Sequence, residues 1–67
     1  MNVELIGSWA GKVWTALDAV ESMDLKQLRK VTKLKEKEVY AALGWLGREG
    51  KLNITENEGE VVVSLAR

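Results

Sequence analysis

Among the 67 residues there is no cysteine, no histidine and no proline. Without cysteine there is no disulfide framework and no thiolate zinc site. Without histidine there is no imidazole ligand and no His-based triad or dyad. Without proline there is no stiff linker, and no linker, repeat or low-complexity tract is apparent either. Long apolar runs are also missing. The opening stretch MNVELIGSWAGKVW is interrupted by Glu4, Ser8 and Lys12, so it reads as neither a signal peptide nor a membrane span. Cysteine-free composition fits a reducing compartment, and the expected location is the cytoplasm.

These absences also remove most chemistry. There is no Gly-rich phosphate loop and no evident carboxylate pair in a pocket. Ser8, Ser22 and Ser64 have no base beside them in the sequence pattern. Glu56, Glu58 and Glu60 read as a solvated turn and not as a metal site. The chain is therefore expected to bind and not to catalyse, with no metal and no cofactor. One domain spanning residues 1–67 is expected. A domain this short buries only about 60% of the surface its unfolded chain exposes. Small scaffolds often add disulfides, a metal or a partner subunit. With the first two unavailable here, self-association remains.

Charge is balanced overall, at ten basic and ten acidic residues, but unevenly placed. Residues 24–38 hold Lys26, Arg29, Lys30, Lys33, Lys35 and Lys37 against Asp24, Glu36 and Glu38, a local +3. Residues 49–67 hold Lys51 and Arg67 against Glu49, Glu56, Glu58 and Glu60, a local −2. The middle of the chain is basic and its end is acidic.

Apolar spacing predicts a first helix over 3–20. Ile6, Trp9, Ala10, Val13, Ala16, Leu17 and Val20 share one arc. Trp14 lies at the edge of that arc, and Gly7 and Gly11 lie just beyond it. Each helical glycine lowers helix propensity by about 1 kcal/mol relative to Ala. Either they make room for a core neighbour or they permit close approach of another chain.

A second short helix is predicted over 24–30. Asp24 is its N-cap, Gln27 completes a capping-box-like pair, and Met23 with Leu28 forms a hydrophobic staple. Leu25, Leu28 and Val31 should face inward. Residues 31–34 are too short for anything but a turn. A third helix follows over 36–48, with Leu34 and Val39 as its staple and Glu38 as the capping-box acid. Its N-cap falls on Lys35, which has no acceptor. Val39, Ala42, Leu43 and Leu46 make its core stripe, and Gly50 suits the position just past its end. Leu52 and Ile54 then alternate with Asn53 and Thr55, as in a half-buried strand. Asn57-Glu58-Gly59 turns the chain into a strand over 60–65, with Val61, Val63 and Leu65 inward and Val62 outward. Residues 21–23 are placed to add a short third strand.

Helix, short turn, helix, hairpin is the order of a helix-turn-helix followed by a wing. The segments Leu25-Lys26-Gln27-Leu28, Thr32-Lys33-Leu34-Lys35, Val39-Tyr40-Ala41-Ala42-Leu43-Gly44-Trp45-Leu46 and Arg48-Glu49-Gly50-Lys51-Leu52 resemble winged helix-turn-helix proteins over nearly the whole chain. The Ala42–Leu46 run, with Ile6-Gly7 and Ala10-Gly11, is similar to a narrower group: short stand-alone prokaryotic winged helix-turn-helix domains of unknown function. The resemblance implies an α+β fold of three helices and a small antiparallel hairpin wing. Lys33 stands where that pattern commonly has Gly, and Lys35 where it commonly has a capping Ser.

In DNA-binding members of this fold the outer face of the third helix enters the major groove. Here that face shows Lys37, Tyr40, Ala41, Gly44, Trp45 and Arg48. Lys33 and Lys35, with Arg29 and Lys30, would meet phosphates. Double-stranded DNA, bound by a homodimer in a transcription-associated role, is the leading expectation. Arg29, Lys30, Lys33, Lys35, Lys37, Tyr40 and Arg48 are its contact residues. The face is poor in Asn, Gln and Ser, and the wing is acidic where a phosphate backbone would pass. A second expectation therefore stands beside the first: a protein-interaction or homodimerisation module with no nucleic-acid role. Its contacts would be Gly7, Gly11, Trp14, Trp45 and Val62. Trp45 either presents itself to a partner, as aromatic hot-spot residues do, or packs beneath the wing or on the first helix.

Overall fold

In a computed structural model that describes residues 2–66, the chain runs α1 (Val3–Asp18), β1 (Met23–Asp24), α2 (Leu25–Thr32), α3 (Glu36–Arg48), β2 (Leu52–Asn57) and β3 (Glu60–Leu65). Three helices pack on a three-stranded antiparallel sheet of order β1-β3-β2. This is the winged-helix arrangement expected from the sequence.

Asn2 starts α1 by accepting a hydrogen bond from the Leu5 amide at 2.8 Å, a cap that the apolar periodicity does not reveal. The helix stops at Asp18, two residues earlier than the periodicity predicts. The Val20 amide donates to Leu17 at 3.2 Å in a tightened last turn. Val20 is thereby swung out of the apolar arc and is exposed. Trp9, Ala10, Val13 and Leu17 carry the buried face of α1.

Asp24 caps α2, accepting from the Gln27 amide at 2.8 Å. Met23 and Leu28 of the predicted staple are both buried. The helix runs on to Thr32, whose hydroxyl donates back to the Leu28 carbonyl and accepts from the Leu34 amide. The inward line is consequently Leu25–Leu28–Thr32. Val31, expected inside, is 58% exposed. The turn shrinks to residues 33–35. Lys33 takes the left-handed conformation at φ 60°, ψ 22°, and its amide donates to Arg29 at 2.9 Å. A non-glycine residue there costs about 1–2 kcal/mol.

At the start of α3, the Glu38 carboxylate accepts from the Lys35 amide at 2.8 Å. The reciprocal half of a capping box is missing, because a lysine side chain only donates. Lys35→Ser is expected to stabilise the fold by about 0.5–1 kcal/mol. For a domain of this size that is a rise of roughly 2–8 °C in Tm. A thermal melt that shows no gain would reject the cap assignment. The far end of α3 closes on a Schellman motif. Lys51 donates to Leu46 and Gly50 to Gly47, both at 3.0 Å, with Gly50 at φ 71°.

β2 and β3 pair in register from Leu52↔Leu65 to Asn57↔Glu60. The hairpin loop is Glu58-Gly59, both at positive φ as a type I′ turn requires. β1 adds two residues, Met23↔Val63 and Asp24↔Val62, starting two residues and ending one residue later than the predicted 21–23. Val63, in the middle strand, is fully buried, whereas its β2 neighbour Ile54 is half exposed. The reason is position. β3 is the middle strand and packs on α1 and α2, while β2 is an edge strand whose helix contacts are with α3. Val62 faces away from the core as expected. It is half-buried there, because Asp24 and Thr55 flank it across the sheet.

Candidate functional site

Residues 26, 29, 30 and 33 recur at helical spacing, so Lys26, Arg29, Lys30 and Lys33 lie along one side of α2 and its terminal turn. All four are exposed, and with Leu34 they line a shallow groove. Arg29 reaches Glu36 at 3.6 Å, but both side chains are largely in water. A pair of that kind is worth roughly 0–1 kcal/mol, and it leaves the guanidinium accessible.

Lys26 also lines a second cleft, with Asp24, Leu25, Tyr40, Gly59, Glu60 and Val61. This cleft lies between the start of α2, the outer side of α3 and the wing tip. It joins the cationic groove to Tyr40, which is half exposed. Beyond Tyr40 the outer side of α3 continues through Gly44 to Arg48, both exposed, while Ala41 is half-buried. Lys37 and Arg48 are exposed near the two ends of this helix, about 17 Å apart along its axis. Arg48 also sits in the last turn, where a cation complements the helix dipole.

Of the seven residues expected to meet DNA, the structure therefore gathers Arg29, Lys30 and Lys33 in one groove. Lys35 and Lys37 are exposed at the start of α3, Tyr40 faces the wing cleft, and Arg48 lies at the opposite end. Lys26 was missing from that set. Its i, i+3, i+4, i+7 relation to the other three was legible in the sequence. Glu60 intrudes on the same cleft from the wing, and Glu56 and Glu58 are exposed nearby on the hairpin.

The residues expected to meet a protein divide differently. Gly7, Gly11, Trp14 and Trp45 line one groove, between α1 and the C-terminal half of α3, with Glu49 and Lys51 at its edge. Trp14 is 40% exposed and Trp45 36%. Trp45 thus lines the groove beside the first helix and presents about a third of its surface. Val62 lies apart, on the outer face of the sheet.

The family model "Winged helix-turn-helix domain (DUF2582)" matches residues 1–65 of this chain. The solution structure of protein BT2368 from Bacteroides thetaiotaomicron is similar at a TM-score of 0.87 and 31% sequence identity. That similarity covers 97% of this chain and 79% of the other. No curated protein matches the sequence. Among the described residues, no helix is long and apolar enough to cross a membrane.

Proposed function

The chain belongs to the winged helix-turn-helix family DUF2582, and from that premise we propose that it is a non-catalytic, cytoplasmic, transcription-associated domain that binds duplex DNA through α2 and α3. The observation that carries this reading is the exposed cationic side of α2, joined through Lys26 to the outer face of α3. In a helix-turn-helix, the first helix of the pair crosses the backbone and the second enters the major groove. Lys26, Arg29, Lys30 and Lys33 are the phosphate contacts. Lys37, Tyr40 and Arg48 are presented to base edges, while Lys35 flanks the groove. Lys33 adds support of its own. It holds a cation at a left-handed position that Gly or Asn would occupy with less strain.

Four to five phosphate contacts release about as many counterions, so the logarithm of affinity should fall with log salt at a slope of about −4. Fluorescence anisotropy on a mixed-sequence duplex measures this directly. Absence of salt-sensitive binding at low ionic strength would reject the proposal. The acidic wing makes a further prediction. A carboxylate some 7–10 Å from a phosphate in a water-like dielectric costs about 0.4–0.6 kcal/mol before screening. Neutralising Glu56, Glu58 and Glu60 together to Gln should tighten low-salt binding roughly three- to fivefold. Unchanged affinity would mean that the wing stays clear of the backbone.

A protein-contact role on the same fold is favoured by a different surface, the groove holding Trp14 and Trp45. That surface leaves the cationic side of α2 free.

A further inference from the structure

Four glycines lie within helices, Gly7 and Gly11 in α1 and Gly44 and Gly47 in α3. A Cβ added at any of them would meet nothing within 4 Å. No core neighbour therefore needs the space at Gly7 or Gly11, which disposes of one of the two roles the sequence left open for them. Beside these two glycines the same side of α1 exposes Val3 and Trp14, both large and apolar. Glu4 and Lys12 are exposed on the other side of the glycine ridge.

The order of these residues has a consequence for pairing. Consider two α1 helices laid antiparallel about a two-fold axis, with Gly7 of each against Gly11 of the other. On one side of the ridge Trp14 then falls over Val3 of the second copy. On the other side Lys12 falls within side-chain reach of Glu4 of the second copy. Each contact occurs twice, as an isologous interface requires. Within one chain Glu4 and Lys12 are eight residues apart, about 12 Å along the helix, and make no pair. We infer that the α1 face carrying Val3, Gly7, Gly11 and Trp14 is the docking surface for a second copy of this chain, in an antiparallel α1–α1 dimer closed at both ends by Glu4–Lys12 pairs. Trp45 borders this face from α3 and extends its apolar edge.

One helix face and two indole edges make a small interface, at the low end of the range for specific contacts. Dissociation constants on the order of 10–100 µM are expected. Sedimentation equilibrium from 10 µM to 1 mM on the full chain reads this out. Wild type should pass from monomer to dimer across that range. Glu4→Lys alone and Lys12→Glu alone should each weaken the dimer at least tenfold. The double exchange, Glu4→Lys with Lys12→Glu, should restore it to within about threefold of wild type. That rescue separates the dimer from a loss of monomer stability, since the two residues are not partners within one chain. Gly11→Leu should remove the dimer while leaving the thermal melt of the dilute monomer unchanged or raised. A wild type that stays monomeric at 1 mM would overturn the inference. So would single charge variants that dimerise normally, or a double exchange that fails to recover the dimer.

Discussion

With Lys33 and Lys37 both changed to Glu, the protein is expected to lose at least 100-fold in affinity for duplex DNA at 50 mM salt. Lys33→Glu removes a phosphate contact and Lys37→Glu a contact in the groove, and each places a negative charge where a cation was, a total charge change of about −4. The effective number of contacts should thus fall from four or five toward one. Each contact contributes about one logarithmic unit through counterion release at this ionic strength. Measured losses fall short of that ideal when neighbouring cations reposition, and 100-fold is the lower expectation. The salt slope should flatten in parallel, from about −4 toward −1. Neither lysine takes part in the core, and both are exposed. Glu at position 33 is no more strained at φ 60° than Lys is. The fold should therefore survive, with stability changed by less than about 0.5 kcal/mol. A doubly reversed protein that binds as tightly as wild type, with the same salt slope, would place the contact surface elsewhere.

Leu28→Ala is expected to be the most damaging single truncation. Leu28 is fully buried on α2 and belongs to the one cluster that joins α1, α3 and the middle strand. Leu→Ala at such sites costs about 2.7–5 kcal/mol, through lost transfer free energy and the cavity left behind. A chain of this length has roughly 3–10 kcal/mol of total stability. The variant should therefore melt at least 15 °C below wild type, or fail to fold at 37 °C. Val31→Ala, one turn further along the same helix, should cost less than about 0.5 kcal/mol because its side chain is already in water. Urea titration of the two variants side by side decides the matter. Equal losses would mean that Val31 lies in the core after all, as the sequence pattern suggests.

The helix-turn-helix was legible because its punctuation is local. Asp24 as N-cap, the Leu34–Val39 staple and Gly50 past the end of α3 each act within one turn of backbone. The core positions Val39, Ala42, Leu43 and Leu46 followed from periodicity alone, and all four are buried. The misplacements share a different cause. Val31 was assigned inward because two apolar residues at i and i+3 imply a stripe. The helix instead continues to Thr32, whose hydroxyl satisfies itself on the Leu28 carbonyl. Ile54 alternates correctly and faces the same side as Val63, yet alternation says nothing of which strand becomes the outer one. Val20 was lost to a terminal turn whose tightening no side chain announces.

The surfaces were less readable than the fold. The seven expected DNA contacts came from the outer side of one helix plus nearby cations, and Lys26 was passed over. Its importance depends on the cleft where α2, α3 and the wing tip meet, a tertiary fact. In the same way, Gly7, Gly11, Trp14 and Trp45 were grouped by residue type, and only the packing of α1 on α3 shows that the four share one groove. Val62 could not be separated from them by sequence, because its distance from that groove is set by sheet order.

Backbone amide shift mapping during titration with a mixed-sequence DNA duplex tests the central claim most directly. The account predicts salt-sensitive changes concentrated at Lys26, Arg29, Lys30, Lys33, Lys37 and Tyr40, with Gly7, Gly11 and Trp14 unmoved. Changes centred on α1 and Trp45, or no changes at low salt, would contradict it.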